Sequence, residues 1–395
     1  MIISKIVYYC IELFCCYATV FYSNFLFFYM KSKFGFGEIE NLLLAALGGL
    51  VYTFAAWQGG AFAQRFGCFR SLFIGLIGMA LSLIAGGLLL HSAPAQVIVF
   101  AVWTASVCFI WPALEALISE NAGDALPGLL GWYNVIWAGG GAIAYFTAGI
   151  ILERIGMQTL FWLPLSMIPV PVALVAVAAN RARKEKSHGT TISGPALNHK
   201  PANSKQFLHM AWLANPLSYV AINTLIPLIP SIASKLGLST SMAGITCSVW
   251  MFARLAAFIL LRRWSGWHYR FLWLAGAFGL MVGCFAVLIL SPTIALFMVA
   301  ELGFGFSIGL IYYSSLYYSM NASERQGAHG GLHEAMIGAG LFVGPACGAS
   351  TLFFLPSIIN AGAWSVCGLL VMGFSGLLYM GRIPNPGSPE KTGSH

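Results

Sequence analysis

The chain has 395 residues, of which 59% are hydrophobic and only 8% charged, where a soluble domain carries about 25% charged residues. So few charges cannot clothe a water-facing surface, which excludes a soluble globular protein and leaves lipid as the solvent of most of the exterior. The net charge of +8 does not make nucleic acid a partner, because the basic residues sit between apolar runs, where they set topology.

In chain order, apolar runs cover 6–30, 38–63, 69–91, 95–118, 128–152, 158–179, 207–234, 240–262, 269–291, 293–319, 328–354 and 358–380. Most are long enough to cross a hydrocarbon core of about 30 Å, and none alternates as a barrel strand would. The predicted fold class is an all-α polytopic membrane protein of twelve transmembrane helices. Lys5 precedes the first run, but no small-residue cleavage pattern follows it, so the run reads as a retained span. The cysteines lie mainly inside apolar runs with no CxxC spacing, and read as buried small hydrophobes.

Threading twelve spans with the N-terminus inside leaves fifteen Lys and Arg residues in inner loops, four outside, and Arg254 within a span. Cytoplasmic loops retain cations, so both termini are expected in the cytoplasm, with the protein in the cell (inner) membrane. One long polar connector divides the chain. The expected organisation is a six-helix bundle over 1–180, a solvated linker over 181–206, a second bundle over 207–383 and a disordered tail over 384–395. A shift of 200 residues aligns Ser119, Asn121, Ala122, Gly131 and Gly140 with Ser319, Asn321, Ala322, Gly331 and Gly340, as two related halves require.

At the loop between the second and third runs, Gly60-Ala61-Phe62-Ala63-Gln64-Arg65-Phe66-Gly67, followed by Arg70, resembles the G-x-L-A-D-R-x-G-R-K motif of the major facilitator superfamily. The resemblance implies two pseudo-symmetric bundles, alternating access, and a central cavity lined by helices one, four, seven and ten. It also implies a conformational latch built from Gly60, Gln64, Arg65, Gly67 and Arg70. The family usually places Asp at the position of Gln64, and that carboxylate helps fasten the halves, partly through the N-terminus of the eleventh helix. Gln64 carries no charge to meet a helix dipole, so the latch is expected to be weaker or differently built. A second pattern, Gly340-x-x-x-Gly344-Pro345-x-x-Gly348-Ala349, is similar to one that exporters of the family carry on the fifth helix, but here it lies on the eleventh. Small residues four apart let helices meet backbone to backbone, which accounts for it without antiport.

A charge inside a span costs at least about 2.5–3.5 kcal/mol at the bilayer centre, so each is a candidate for substrate or proton binding. Glu12 lies in the first helix. Glu115 stands near the inner end of the fourth, where pairing with Arg65 or Arg70 is the structural alternative. Glu301 on the tenth is the leading proton or cation candidate, against a buried structural pair. Arg254 on the eighth needs an anion, Asn134, a glutamate or a wet cavity. His333 and Glu334 open the eleventh, either as a His–Glu relay or with Glu334 placed at a positive helix end. Uncharged candidates from the four lining helices are Tyr17, Asn24, Trp111, Tyr219, Asn223 and Tyr312. Pro216, Pro227 and Pro230 are expected to interrupt the seventh helix beside a cavity.

Ser307 satisfies G-x-S-x-G but lies mid-span, without the strand–turn–helix context of a hydrolase. His329 and His333 lack a third zinc ligand, and no Walker A motif is present. The chain therefore reads as no enzyme, with no cofactor and no metal. The reading is a secondary active transporter of a small-molecule substrate across the lipid bilayer, with protons as a coupling option and a monomer expected. A non-transporting receptor or scaffold on the same fold is the alternative, and Gln64 is the feature that leans toward it. Substrate, direction and coupling ion are not specified by these residues.

Overall fold

The computed structural model describes residues 2–187, 203–322 and 326–382, and all of its regular structure there is helical. Twelve helices are long and apolar enough to cross a bilayer: α1 (Lys5–Phe34), α2 (Glu38–Phe66), α3 (Cys68–Leu88), α4 (Ala93–Ser119), α5 (Leu126–Ile155), α6 (Thr159–Lys184), α7 (Ser204–Lys235), α8 (Thr240–Arg263), α9 (Phe271–Leu290), α10 (Ile294–Ser319), α11 (His333–Phe354) and α12 (Ala361–Arg382). Helices are the open-chain solution that satisfies every backbone N–H and C=O within lipid. The predicted linker segment 188–202, the tail 384–395 and the side chain of His329 lie outside the described residues.

Short connections are shaped by the residues that tolerate them. α2 and α3 are separated by Gly67 alone, at φ +96°, a left-handed conformation that glycine adopts without a Cβ penalty. Ser92 caps α4 by accepting a hydrogen bond from the Ala95 N–H at 3.3 Å, and Ser239 does the same for α8 through Met242. Twelve crossings put both ends of the helical array on one face, the terminal face; α1 ends and α2 begins at the opposite face.

Two spans differ from the uninterrupted helices expected. α4 breaks after Val107 and resumes at Trp111. Pro112 supplies no N–H and crowds the preceding turn, and the freed backbone is met by neighbours. The Ser71 hydroxyl donates to the Phe109 carbonyl at 2.6 Å. A Cβ on Gly59 would stand 2.3 Å from the Cys108 carbonyl oxygen, so α2 passes close beside the break. α6 is likewise divided at Ile168, before Pro169 and Pro171. By contrast, α7 runs through Pro216, Pro227 and Pro230 as one helix. The prolines do not interrupt it as expected; backbone carbonyls near them instead accept hydrogen bonds from α1 and α2.

The first six and last six helices meet along two seams, α2 against α11 and α5 against α8. Glycine sets both. A Cβ on Gly49 would lie 2.2 Å from the Phe342 backbone nitrogen, and one on Gly149 would lie 2.3 Å from the Thr240 carbonyl oxygen. Within the second group, the G-x-x-x-G spacing of α11 does the same against α7. Cβ atoms on Gly340 and Gly344 would stand 2.1 Å from the Pro216 carbonyl and 2.4 Å from that of Val220. Outward, large apolar side chains such as Leu272, Ile359 and Phe354 are 75–83% exposed, the pattern of a surface solvated by acyl chains.

A single methyl group tests this packing. Gly340→Ala should destabilise the chain by about 1–3 kcal/mol through overpacking, seen as a lower thermal midpoint in detergent. Gly283→Ala meets nothing within 4 Å and should be neutral or slightly stabilising, because it removes glycine's backbone freedom. Equal midpoints for the two variants would contradict the backbone-to-backbone contact.

Candidate functional site

Between the two seams lies a cavity of about 180 Å³. Its wall takes residues from α1 (Thr19, Asn24), α4 (Trp103, Trp111), α7 (Tyr219, Asn223) and α10 (Tyr312), the helices the family resemblance implies. It also takes Gly49 and Tyr52 from α2, Tyr133 and Trp137 from α5, Arg254 from α8 and Glu334 from α11. The broken helix α4 contributes on both sides of its break. The charged groups of the wall therefore come from helices outside the expected four.

Arg254 is the positive pole. It is 1% exposed, and its guanidinium carbon lies 4.5 Å from the Trp137 ring centroid, 4.8 Å from that of Tyr312 and 5.4 Å from that of Phe258. Trp137 and Tyr312 stack 6.0 Å apart at 15°. The rings favour a cation electrostatically, yet the Nε and Nη2 donors have no acceptor. Neither Asn134 nor a glutamate meets Arg254, contrary to two of the partners expected. The ion pair among the described residues is Lys235 with Glu38.

The negative pole is a set of carboxyls toward the terminal face. Glu334 accepts a hydrogen bond from the Tyr52 hydroxyl across the α2–α11 seam. Glu115, Glu334 and the His333 ring each offer an atom within 4.8 Å of one another. Glu115 does not pair with Arg65 or Arg70. It is fully buried, both its oxygens lack partners, and the two arginines are exposed. The segment after the break, Trp111–Ser119, is buried almost throughout, Glu115 included. Glu12 is equally buried and unpartnered, within electrostatic reach of Glu115. The His333 Nδ1 lies 3.3 Å from the Ser315 hydroxyl, and its Nε2 has no partner. Among the described residues, Glu115, His333 and Glu334 are the one group with the donor set and spacing to hold a cation.

The remaining candidates divide. Asn24, Trp111, Tyr219, Asn223 and Tyr312 reach the cavity wall, and the Asn223 Nδ2 also donates to the Leu341 carbonyl at 2.7 Å. Tyr17 does not reach it; its hydroxyl bonds the Thr147 hydroxyl at 2.8 Å. Glu301 is fully buried rather than turned to lipid, but it faces α8 beside Cys247 and the Trp250 backbone, behind the wall. Both its oxygens lack an aligned donor. Of the latch residues, Gly60 is buried, while Gln64, Arg65, Gly67 and Arg70 are exposed at the terminal face. The side chains of 326–332, where the latch partner is implied, lie outside the described residues.

Both ends of the interface are bridged. At the opposite face Lys31 donates to the Pro230 carbonyl at 3.0 Å and the Ser234 hydroxyl at 2.9 Å. Lys235 pairs with Glu38 at 2.9 Å, the Ser241 N–H donates to Glu153 at 2.7 Å, and buried Asn41 donates to the Pro227 carbonyl at 3.3 Å. Toward the terminal face Arg262 lies 4.1 Å from the Trp132 ring, and the Tyr313 hydroxyl donates to the Pro127 carbonyl at 3.4 Å.

Tyr52, Trp137, Trp250 and Tyr133 were not anticipated. The spacing of four that puts Trp250, Arg254 and Phe258 on one face of α8, and Tyr133 and Trp137 on one face of α5, was available as a signal.

Against known proteins, the profile described as Major Facilitator Superfamily matches residues 10–345. No curated protein matches the chain. The human organic anion transporter MFSD10 (TETRAN) is similar in structure, with a TM-score of 0.69 at 12% identity, covering 94% of this chain and 98% of its own. A point mutant of the nucleoside transporter NupG is also similar, with a TM-score of 0.67 at 13% identity, covering 95% of this chain and 99% of its own. At such identities the likeness shows the fold.

Tyr52→Phe should remove the donor that holds Glu334 across the seam. Hydrogen bonds to charged groups contribute about 1.5–3 kcal/mol, so the variant should melt earlier in detergent. A midpoint unchanged from the parent would remove this contact from the account.

Proposed function

We propose, on the premise that the chain belongs to the Major Facilitator Superfamily and is a secondary transporter of a small molecule, that the cavity around Arg254 is its substrate site and that the two bridged ends are its gates. The observation that carries this is a void between two bridged faces, walled by aromatic rings and holding an unpaired cation. Alternating access needs one face to part while the other stays joined. The bridges suit that. The opposite face is held mainly by contacts near the surface, and exposed ion pairs contribute only about 0–1 kcal/mol each. The terminal face is held by the part-buried Tyr313–Pro127 and Arg262–Trp132 contacts, with Tyr52 and Glu334 joined across the α2–α11 seam.

The carboxyls support proton coupling, in the following form. Glu115 belongs to the first six helices and Glu334 to the second, so parting the terminal face separates them. Joined in a medium of low dielectric, two carboxyls repel unless they share a proton. The closed terminal face is then the state that binds the extra proton, with Tyr52, His333, Glu12 and Tyr133 around it. Arg254 stands apart from this carboxyl group and remains available to substrate. The charge asymmetry of the loops supports cytoplasmic termini, which makes the terminal face the cytoplasmic one, in the cell membrane. A monomer is sufficient for this cycle, because both gates and the cavity are formed by one chain.

Two outcomes follow. In a background lacking Cys16, Asn24→Cys should react with a membrane-impermeant thiol reagent from either face, in right-side-out and in inverted vesicles. Labelling from one face alone would favour a receptor or scaffold that no longer turns over. For the proton, a state that binds more protons gains population as pH falls. The ratio of terminal-face to opposite-face labelling, in which the pH dependence of the thiolate itself cancels, should therefore decrease toward acid pH, and Glu334→Gln should give a low, pH-independent ratio. A pH response that survives both Glu334→Gln and Glu115→Gln would remove these carboxyls from coupling.

A further inference from the structure

We infer that the transported substrate is a small planar organic monoanion, a monocarboxylate of one-ring size, whose carboxylate docks on Arg254 while its flat body lies against the aromatic wall. This rests on the reading of the cavity as the transport site.

The guanidinium carries the argument. An arginine holds its proton under all ordinary conditions, and its fork of N–H donors matches a carboxylate edge to edge. Arg254 is buried at the cavity wall, its Nε and Nη2 donors are unmet, and the Tyr219 phenol lies beside it. The surrounding rings offset part of the charge but leave those donors without an acceptor. Buried donors of this kind are costly when unmet, and an anion is the acceptor that meets the charge as well as the donors. Glu334 does not fill that role. It is engaged by Tyr52, stands next to Glu115, and makes no ion pair with Arg254.

Charge count and wall chemistry narrow the class. Among the described residues, Arg254 is the only lysine or arginine lining the cavity, which suits one negative charge and not two. Trp103, Trp111, Trp137, Trp250, Tyr133 and Tyr145 supply flat faces, which favour a planar apolar body through offset or edge-on ring contacts. Size sets the upper bound. The void of about 180 Å³ is only somewhat larger than the roughly 150 Å³ that admits benzene, leaving room for one ring and its carboxylate.

The test uses the purified full chain in detergent, with tryptophan fluorescence as the readout, since Trp137 lies against the guanidinium. Benzoate, phenylacetate and nicotinate are titrated against their neutral amides. At least one acid should bind about tenfold or more tightly than its amide, the least that one charge-assisted hydrogen bond supplies. Arg254→Gln should erase that preference, and Arg254→Lys should keep part of it. Amides binding as well as acids, no acid binding at all, or an acid preference that survives in folded Arg254→Gln would overturn the inference.

If Arg254→Gln does not fold, the potential of the cavity is read without it. Asn24→Cys in the background lacking Cys16, with Arg254 kept, should react faster with an anionic than with a cationic thiosulfonate of similar size, and the reverse order overturns the proposal. The same cysteine separates the two levels of reading. Labelling from both faces with no anion preference discards the substrate class and leaves the transporter standing, whereas labelling from one face only discards the transport cycle itself.

Discussion

A guanidinium that cannot lose its proton, set deep among membrane-spanning helices without a carboxylate against it, is the constraint around which the rest is arranged. In hydrocarbon such a charge costs several kcal/mol. The fold lowers that cost in two ways visible in the structure. It crowds Arg254 with Trp137, Tyr312 and Phe258, and it leaves a void beside it that water or an anion can fill. A well-packed interior would forbid the residue altogether. The cavity and the charge therefore explain each other.

The carboxyls obey the same rule by a different route. Among the described residues, Glu12, Glu115 and Glu334 gather on the terminal side of the cavity with the Tyr52 phenol as donor to Glu334 and no ion pair to a cation. Acids can be neutralised by a proton where arginine cannot, so this region stores no obligatory charge. The molecule thus separates a permanent positive site from a titratable acidic one, in the same interface but on different helices. Glycines at the α2–α11 and α5–α8 seams bring the helix backbones close enough to seal it. Across the α5–α8 line, rings and cations also meet, as in Tyr145 with Trp250, Phe146 with Phe252, and Arg262 over Trp132.

Much of the fold was legible because its rule is simple. Long apolar runs separated by polar breaks must become spanning helices, and their ends moved by only a few residues. The close approach of α11 to α7 was readable from Gly340 and Gly344, since small residues four apart have one structural use. The site was less legible. Glu115 was expected to meet Arg65 or Arg70 because a straight helix would leave it near that loop, but α4 breaks before Pro112 and Glu115 lies buried beyond the break. Glu301 was singled out by depth in the membrane, yet depth fixes only one coordinate, and rotation about the helix axis turns it toward Cys247. Arg254 was legible as a charge out of place, and Glu334 as the neighbour of His333. Their aromatic and phenolic partners, Trp137 and Tyr52, lie far away in sequence, so only the packing of helices discloses them. In a chain with 14% aromatic residues, no single ring marks itself as part of a site.

The central claim is that the two faces open reciprocally about a fixed cavity, and distances across the α5–α8 seam test it most directly. Spin labels at Arg154 and Met242 report on the opposite face, and labels at Gly128 and Arg263 on the terminal face, all at exposed positions. Double electron–electron resonance in lipid nanodiscs should give two distances for each pair. Conditions that lengthen one pair should shorten the other. A single invariant distance for both pairs, or two pairs that lengthen together, would contradict the account.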